Sequence, residues 1–144
     1  MENHGPIIFI DEDDDDKEMV TSILKQIAPD NQIIYFANGQ QMLDYLDNTD
    51  EPPFLIISEV FTPLMSGLEL LDRLNQFSAL KAKSIPFILI TSPIDKHLVE
   101  EAYKGHVQGI FEKKHSLEEM KRQFQAILDY WTTSLYPNQF AKKE

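Results

Sequence analysis

The sequence has no cysteine among its 144 residues, and this absence removes several kinds of chemistry at once. Disulfides, thiolate zinc sites and cysteine nucleophiles are all excluded. Basic residues are also scarce, since 13 lysines and arginines face 24 acidic residues and give a formal net charge of -11. Nonspecific nucleic-acid binding depends on basic contacts to phosphate, and anionic lipid surfaces repel an acidic chain. We therefore expect protein partners, metal cations or both, and no nucleic-acid or membrane partner.

Long apolar runs are missing as well, and we expect no secretory leader. No apolar stretch approaches the roughly 20 residues that cross a bilayer, and the first six residues do not place a basic segment before an apolar one. Together with the absence of cysteine, this predicts a cytoplasmic protein. The length suits one domain with a single core. We expect that domain over residues 1–131 and a polar C-terminal tail over 132–144, where Leu135, Tyr136 and Phe140 are able to pack.

What the sequence does contain is an alternation of short apolar runs with amphipathic segments, which predicts strands alternating with helices. The predicted strands are 7–10, 32–36, 54–58, 86–90 and 108–112, and the predicted helices are 15–28, 38–47, 67–77, 94–104 and 116–131. This order indicates an α/β fold with a parallel sheet. The size fits a flavodoxin-like, doubly wound (βα)5 arrangement, with five parallel strands in the middle of three α/β/α layers.

Polar side chains follow the predicted strands at their carboxyl ends, which is where such sheets bind ligands. They are Asp11, Glu12 and Asp13 after the first strand, Glu59 after the third, Thr91 and Ser92 after the fourth and Lys113 after the fifth. Clustered carboxylates suit Mg2+, which prefers oxygen ligands. An ammonium and a hydroxyl group can bind phosphoryl oxygens. The set therefore predicts a site suited to phosphoryl transfer to a carboxylate.

The order of these residues resembles that of response-regulator receiver domains, over residues 6–131. The residues that match the family pattern are the acid pair Asp11 and Glu12, then Glu59 at the phosphoacceptor place, Pro63 and Gly67 in the loop after it, Thr91 and Lys113. The resemblance implies two-component (phosphorelay) signalling, with a histidine kinase, phosphotransfer protein or downstream effector as partner. It implies Thr91 and Lys113 as switch and phosphate-binding residues, and a Mg2+ site at Asp11, Glu12 and Glu59. It also implies a partner-binding face over 94–131, with the chain a monomer or a weak dimer through that face.

Departures from the family pattern bear on the switch. The family's acceptor is aspartate, and Glu59 is one methylene longer, which moves the carboxylate by about 1.5 Å. Catalytic geometry is sensitive to about 1 Å, and the longer acid can reach Lys113 and imitate a phosphorylated aspartate. Ile110 replaces the usual switch aromatic, Phe111 is expected on the opposite face, and Lys114 replaces a proline. We predict altered or phosphorylation-independent switching, no enzymatic activity, and Mg2+ binding weaker than in an ordinary receiver.

Other functions compete with this prediction. Asp11 and Asp13 resemble the D-x-D motif of Mg2+-dependent haloacid-dehalogenase phosphatases, but Asp15 stands where that motif continues with Thr or Val. A flavodoxin-like FMN carrier would need a first loop rich in Ser, Thr or Gly to hold phosphate, and this loop is a run of acids. Within that run, residues 14–16 are interpreted as solvated acids that favour the helix N-terminus.

Overall fold

The computed structural model describes residues 5–77 and 84–140, and its architecture confirms the predicted fold. In these residues the strands are β1 (Ile7–Ile10), β2 (Ile33–Phe36), β3 (Leu55–Glu59), β4 (Phe87–Thr91) and β5 (Gly109–Glu112). The helices are α1 (Asp14–Ile27), α2 (Gly39–Asn48), α3 (Gly67–Asn75), α4 (Lys96–Lys104) and α5 (Leu117–Thr133), followed by a 3-10 turn, Pro137–Phe140. None of the helices in the described ranges combines the length and apolar character that crossing a bilayer requires.

All five strands run parallel in the order β2-β1-β3-β4-β5. This is the doubly wound order, in which the carboxyl ends of β1, β3, β4 and β5 lie side by side along one edge of the sheet. The register aligns Ile10 with Ser58, Glu59 with Ile90 and Thr91 with Glu112. Residues that follow these strands are therefore brought together although they are far apart in sequence.

The core lies on both faces of the sheet because successive strand residues point to opposite sides. Ile7 and Phe9 pack with apolar residues of α1 and α5, whereas Ile8 and Ile10 pack with those of α2, α3 and α4. A buried apolar side chain typically contributes about 1.5 to 3 kcal/mol, so both layers stabilise the strands. The two faces of β5 follow the same rule.

One glycine fixes how α3 leaves the sheet. Gly67 begins α3, and its backbone N–H donates to the Val60 carbonyl at 2.7 Å. A Cβ at this position would lie 2.8 Å from the Glu59 carbonyl oxygen and 2.7 Å from Leu89 Cδ2, closer than side chains tolerate. The absence of a side chain thus allows α3 to start directly against the end of β3, next to Glu59.

The segment after α5 folds back onto the sheet. Tyr136 is only 7% exposed and belongs to the core cluster on the α1 and α5 face, where its ring lies 6.1 Å from that of Phe54. Leu135 and Phe140 are 75% and 68% exposed. Of the three tail residues that the sequence marked as able to pack, Tyr136 is the one in the core. The predicted domain boundary at residue 131 stays a prediction, which the following substitution tests.

Tyr136→Ala is expected to lower the free energy of unfolding by about 2 to 4 kcal/mol, because it removes a buried ring and leaves a cavity against Phe54. Urea denaturation followed by circular dichroism measures this change. Phe140→Ala is the matched control, since its exposed ring should be worth less than about 0.5 kcal/mol. Equal effects of the two substitutions would show that the domain ends before Tyr136.

Candidate functional site

Three of the predicted site residues meet at the carboxyl edge of the sheet. Asp11 directly follows β1, Glu59 is the last residue of β3 and Lys113 directly follows β5. Backbone hydrogen bonds extend the ladder to the two flanking positions, from Asp11 N to the Phe36 carbonyl at 3.1 Å and from Lys113 N to the Thr91 carbonyl at 2.8 Å. The Lys113 ammonium lies 2.6 Å from Glu59 Oε1 and 3.8 Å from Asp11 Oδ2. The pocket is therefore built around one lysine.

Both carboxylate oxygens of Glu59 are engaged. Oε1 contacts Lys113 Nζ, and Oε2 accepts a hydrogen bond from the Val60 backbone N–H at 3.1 Å. The residue is buried, and it is the end of a strand whose backbone is held between β1 and β4. Water therefore contributes little to its solvation, and the ammonium supplies the countercharge that a buried carboxylate requires.

Asp16 completes the pocket, and the sequence interpretation of this residue was wrong. Its Oδ2 lies 2.7 Å from Lys113 Nζ, whereas Asp14 and Asp15 are exposed as expected. Asp13 caps α1, and its side chain accepts hydrogen bonds from the two backbone N–H groups at the start of the helix. Asp16 stands one helical turn before the buried Val20, so it lies on the inward stripe of α1. The four-residue spacing from Asp16 to Val20 could have indicated that Asp16 faces inward, but the neighbouring acids led us to interpret the whole run as solvated.

The structure does not bring every predicted site residue into this group. Glu12 is exposed and lies outside the carboxylate group that could hold a metal ion. It follows Asp11 immediately, and adjacent residues at a strand end point in opposite directions. Asp11 instead turns inward, where its Oδ1 accepts a hydrogen bond from the Asp13 backbone N–H at 3.0 Å. Glu12 as a metal ligand stays a prediction.

Thr91 is fully buried at the end of β4, and its hydroxyl has no hydrogen-bond partner among the residues that the structure describes. Ile110 packs with the α2, α3 and α4 side of the sheet and Phe111 with the other side, as the alternation in β5 predicted. An aliphatic side chain, Ile110, therefore stands on the face where the resemblance led us to expect a switch aromatic.

The mutual electrostatics of these residues shift three of their pKa values. Burial raises the pKa of Asp11 to about 7, with the neighbouring Asp16 adding to the rise and the Asp13 N–H opposing it. Burial also acts to raise the pKa of Asp16, but hydrogen bonds with Lys113 and Asp11 outweigh it and lower that pKa. For Lys113, burial opposes the charge, yet Asp16 and Glu59 outweigh it and raise its pKa. At neutral pH the pocket therefore holds a charged ammonium beside an ionised Asp16 and a partly protonated Asp11.

The donor set fits a hard divalent cation. Carboxylate oxygens of Asp11, Asp16 and Glu59 lie within 4.8 Å of one another. Asp11 Oδ2 is buried and accepts no hydrogen bond from the described residues, which leaves a ligand position open. Oxygen ligands of this kind suit Mg2+, so these three residues could hold it. The resident Lys113 ammonium is then the competing cation, as the predicted Glu59–Lys113 contact implied.

Asp11→Asn is expected to stabilise the metal-free protein, and more so at pH 8 than at pH 5. The pKa of aspartate in the unfolded chain is 3.8, whereas the pKa of Asp11 in the folded protein is about 7. The folded state therefore holds a proton more tightly than the unfolded state, and it loses stability as the pH rises from about 4 to 7. Above pH 7 the full cost is present, and removing the charge should recover about 1 to 2 kcal/mol more at pH 8 than at pH 5. Urea denaturation in a chelator at both pH values measures the difference.

The matched control for this pH dependence is Asp15→Asn, which changes an exposed acid in the same run. Its effect on the free energy of unfolding should be small at both pH values. A gain from Asp11→Asn that is the same at pH 5 and pH 8 would contradict the raised pKa of this carboxyl.

Solved structures of response regulators have the same fold. The phosphorylated cyanobacterial phytochrome response regulator RcpA superimposes with a TM-score of 0.81 at 19% sequence identity, covering 92% of this chain and 99% of that one. The Mn(2+)-bound form of response regulator Rcp1 superimposes with a TM-score of 0.79 at 24% identity, with the same coverage of each chain. At these identities the likeness shows the fold.

Sequence comparison shows the family. Response regulator Rcp1 of Synechocystis sp. is 25% identical over 130 residues, which cover 87% of this chain and 87% of that protein. The probable methanogenesis regulatory protein FilR2 of Methanothrix harundinacea is 22% identical over 129 residues, covering 87% of this chain and 82% of that protein. The sequence model of the response regulator receiver domain matches residues 7–125. With the fold and the arrangement of the strand-end residues, this match places the chain in the response regulator receiver domain family.

Proposed function

We propose that this receiver works in cytoplasmic two-component signalling through contacts with other proteins, and that its state does not depend on phosphorylation of Glu59. The observation that carries the proposal is the contact between Lys113 Nζ and Glu59 Oε1 at 2.6 Å. A carboxylate accepts a phosphoryl group through attack by one of its oxygens on phosphorus, and donors bound to that oxygen lower its nucleophilicity. Here one oxygen is held by the ammonium and the other by the Val60 N–H.

The same contacts make the pocket resemble a phosphorylated site in one respect, which is the binding of Lys113 to anionic oxygens. A phosphoryl group presents several anionic oxygens to a lysine, and Lys113 meets two carboxylates, Glu59 at 2.6 Å and Asp16 at 2.7 Å. The Thr91 hydroxyl, which would bind a phosphoryl oxygen, has no hydrogen bond within the described ranges. Lys113 thus makes its contact with anionic oxygens in the absence of phosphate, whereas the hydroxyl group of Thr91 makes no such contact in the described residues.

Output through protein contacts is supported by the surface over 94–131. Exposed apolar side chains lie along it at Ile94, Tyr103, Leu117 and Tyr130. Exposed apolar side chains of this kind are candidate contacts for a protein partner. The partners we propose are a histidine kinase, a phosphotransfer protein or a downstream effector, with the chain as a monomer or a weak dimer through this surface.

The alternative of a haloacid-dehalogenase phosphatase is not supported. It requires the side chain of Asp13 in the active site, but Asp13 accepts hydrogen bonds from the Asp15 and Asp16 backbone N–H groups as the N-cap of α1. The family match is to receiver domains, which act in signalling.

Intact-mass spectrometry after incubation with acetyl phosphate and Mg2+ tests the proposal on the wild type, Glu59→Asp and Glu59→Gln. We expect a phosphoryl adduct on Glu59→Asp alone, because the shorter acid restores the family's acceptor and withdraws from Lys113. Glu59→Gln is the control for phosphorylation at other residues.

An adduct on the wild type that is lost in Glu59→Gln would overturn the proposal and make Glu59 a working acceptor. If Glu59→Asp also stays unmodified, the glutamate is not what prevents phosphorylation, and the stated cause is wrong.

A further inference from the structure

We infer that the free edge of β2 is a second protein-binding surface, which takes an extended peptide segment of alternating apolar and acidic residues as an added strand. The surface over 94–131 contains β5, and β2 and β5 are the outer strands at opposite edges of the sheet. The inference therefore goes beyond the proposed function, since it depends neither on that surface nor on the state of Glu59.

The backbone of β2 has hydrogen-bonding groups that the described part of the chain does not use. Ile7 N donates to the Gln32 carbonyl at 2.8 Å, and β1 and β2 are parallel in continuous register. In such a ladder, the even-numbered residues of β2 bond to β1 and the alternate ones point away from it. The outward residues are Ile33 and Tyr35, whose backbone N–H and C=O groups are therefore available to another strand.

The residues of β2 do not block this edge. Natural edge strands commonly carry lysine, proline or a bulge that prevents pairing with another chain. The strand Ile33–Phe36 consists of apolar and aromatic residues, each of them partly exposed, and its register has no bulge. The edge is thus open to strand addition, in which backbone bonds provide affinity and alternating side-chain sites provide specificity.

On the α1 side, the groove beside this edge is basic. It has a volume of about 580 Å3, and Lys25 is the one charged residue among the described residues that line it. Lys17, earlier on α1, places its ammonium 5.3 Å from the centre of the Tyr35 ring, whose hydroxyl lies 2.6 Å from that of Thr21. Neither lysine has an ion pair with another described residue, although the net charge of the chain is -11. Acidic side chains on this side of an added strand would complement both lysines.

On the α2 side, the same edge is apolar. Ile34 and Phe36 point to this side and remain partly exposed, together with Tyr45 and Leu46 of α2. The rings of Phe36 and Tyr45 lie 5.6 Å apart. Apolar side chains at every second position of an added strand would cover these groups. The two sides of the edge together therefore specify a strand in which acidic and apolar residues alternate.

A second copy of this chain fits the edge less well than such a peptide. Two β2 strands that pair about a two-fold axis would bring the lysines of both α1 helices to the same side of the joined sheet. Because β2 contains no acidic residue, the added strand would place no carboxylate beside those lysines. Charge complementarity thus favours an acidic segment of another protein.

Fluorescence anisotropy at physiological ionic strength tests the surface with a labelled peptide that alternates valine and glutamate and is long enough to span β2. We expect saturable binding to the wild type and at least about fivefold weaker binding to Lys25→Glu, which reverses the charge of the groove. Lys121→Glu is the matched control, because it makes the same change of charge at an exposed lysine of α5. It should alter the affinity by less than about twofold.

Two altered peptides test the other contributions. Serine in place of valine removes the apolar contacts, and N-methylation of the central amides removes the backbone donors. We expect each change to weaken binding by at least about fivefold. Undiminished binding of either altered peptide, or equal affinities of Lys25→Glu and Lys121→Glu, would overturn the inference.

Amide hydrogen exchange, followed by NMR, locates the peptide on the wild type without any substitution. We expect the amides of Ile33 and Tyr35 to become protected several-fold when the peptide binds, because they gain acceptors. The amides of Ile34 and Phe36 are the control within the same strand, since they face β1 and already have acceptors there. Their protection should change much less.

No binding of the valine–glutamate peptide, or binding that leaves the Ile33 and Tyr35 amides unprotected, would refute the inference. Protection of these amides that appears without peptide and rises with protein concentration would show that a second copy takes the edge, which would also refute it. None of these measurements includes a phosphoryl donor, so the acetyl phosphate test of the proposed function is independent of their result.

Discussion

The ammonium of Lys113 is the charge on which this end of the molecule depends. Asp11, Asp16 and Glu59 converge on it from three different elements. Without a cation, three largely buried acids would face each other, and the desolvation and repulsion of those that are ionised would oppose the close approach of β1, β3 and α1. The lysine thus stabilises the geometry of the pocket as well as setting its chemistry. Its raised pKa means that it keeps this role across the physiological pH range.

The rest of the fold positions the three acids and Lys113 next to one another. Parallel strands in the order β2-β1-β3-β4-β5 put four strand ends along one edge, and apolar side chains on both faces hold the strands in register. Gly67 lets α3 begin against the carbonyl of Glu59, so the acid sits in a tight, water-poor corner. The extra methylene of Glu59 relative to aspartate matters here because its carboxylate reaches Lys113 at 2.6 Å.

Much of this could be predicted from the sequence, for a definite reason. Apolar runs predict buried strands, and the residues that follow parallel strands must meet at one edge, so Asp11, Glu59 and Lys113 were found from pattern alone. The opposite facing of Ile110 and Phe111 followed from the two-residue period of a strand and is confirmed.

The contribution of Asp16 was missed because its role depends on the rotation of α1 relative to the sheet. In a run of consecutive acidic residues, residue type does not distinguish Asp16 from its neighbours. The burial of Tyr136 depends on where the chain turns after α5, and the sequence showed only that an aromatic residue was available there.

The central claim is that Lys113 and Glu59 form a stabilising pair in the resting protein. A double-mutant cycle of Glu59→Gln, Lys113→Met and the combined variant, measured by urea denaturation in a chelator, tests it most directly. The account predicts a coupling free energy of about 1 to 3 kcal/mol in favour of the pair. A coupling below about 0.5 kcal/mol would mean that the two side chains act independently, and it would contradict the account.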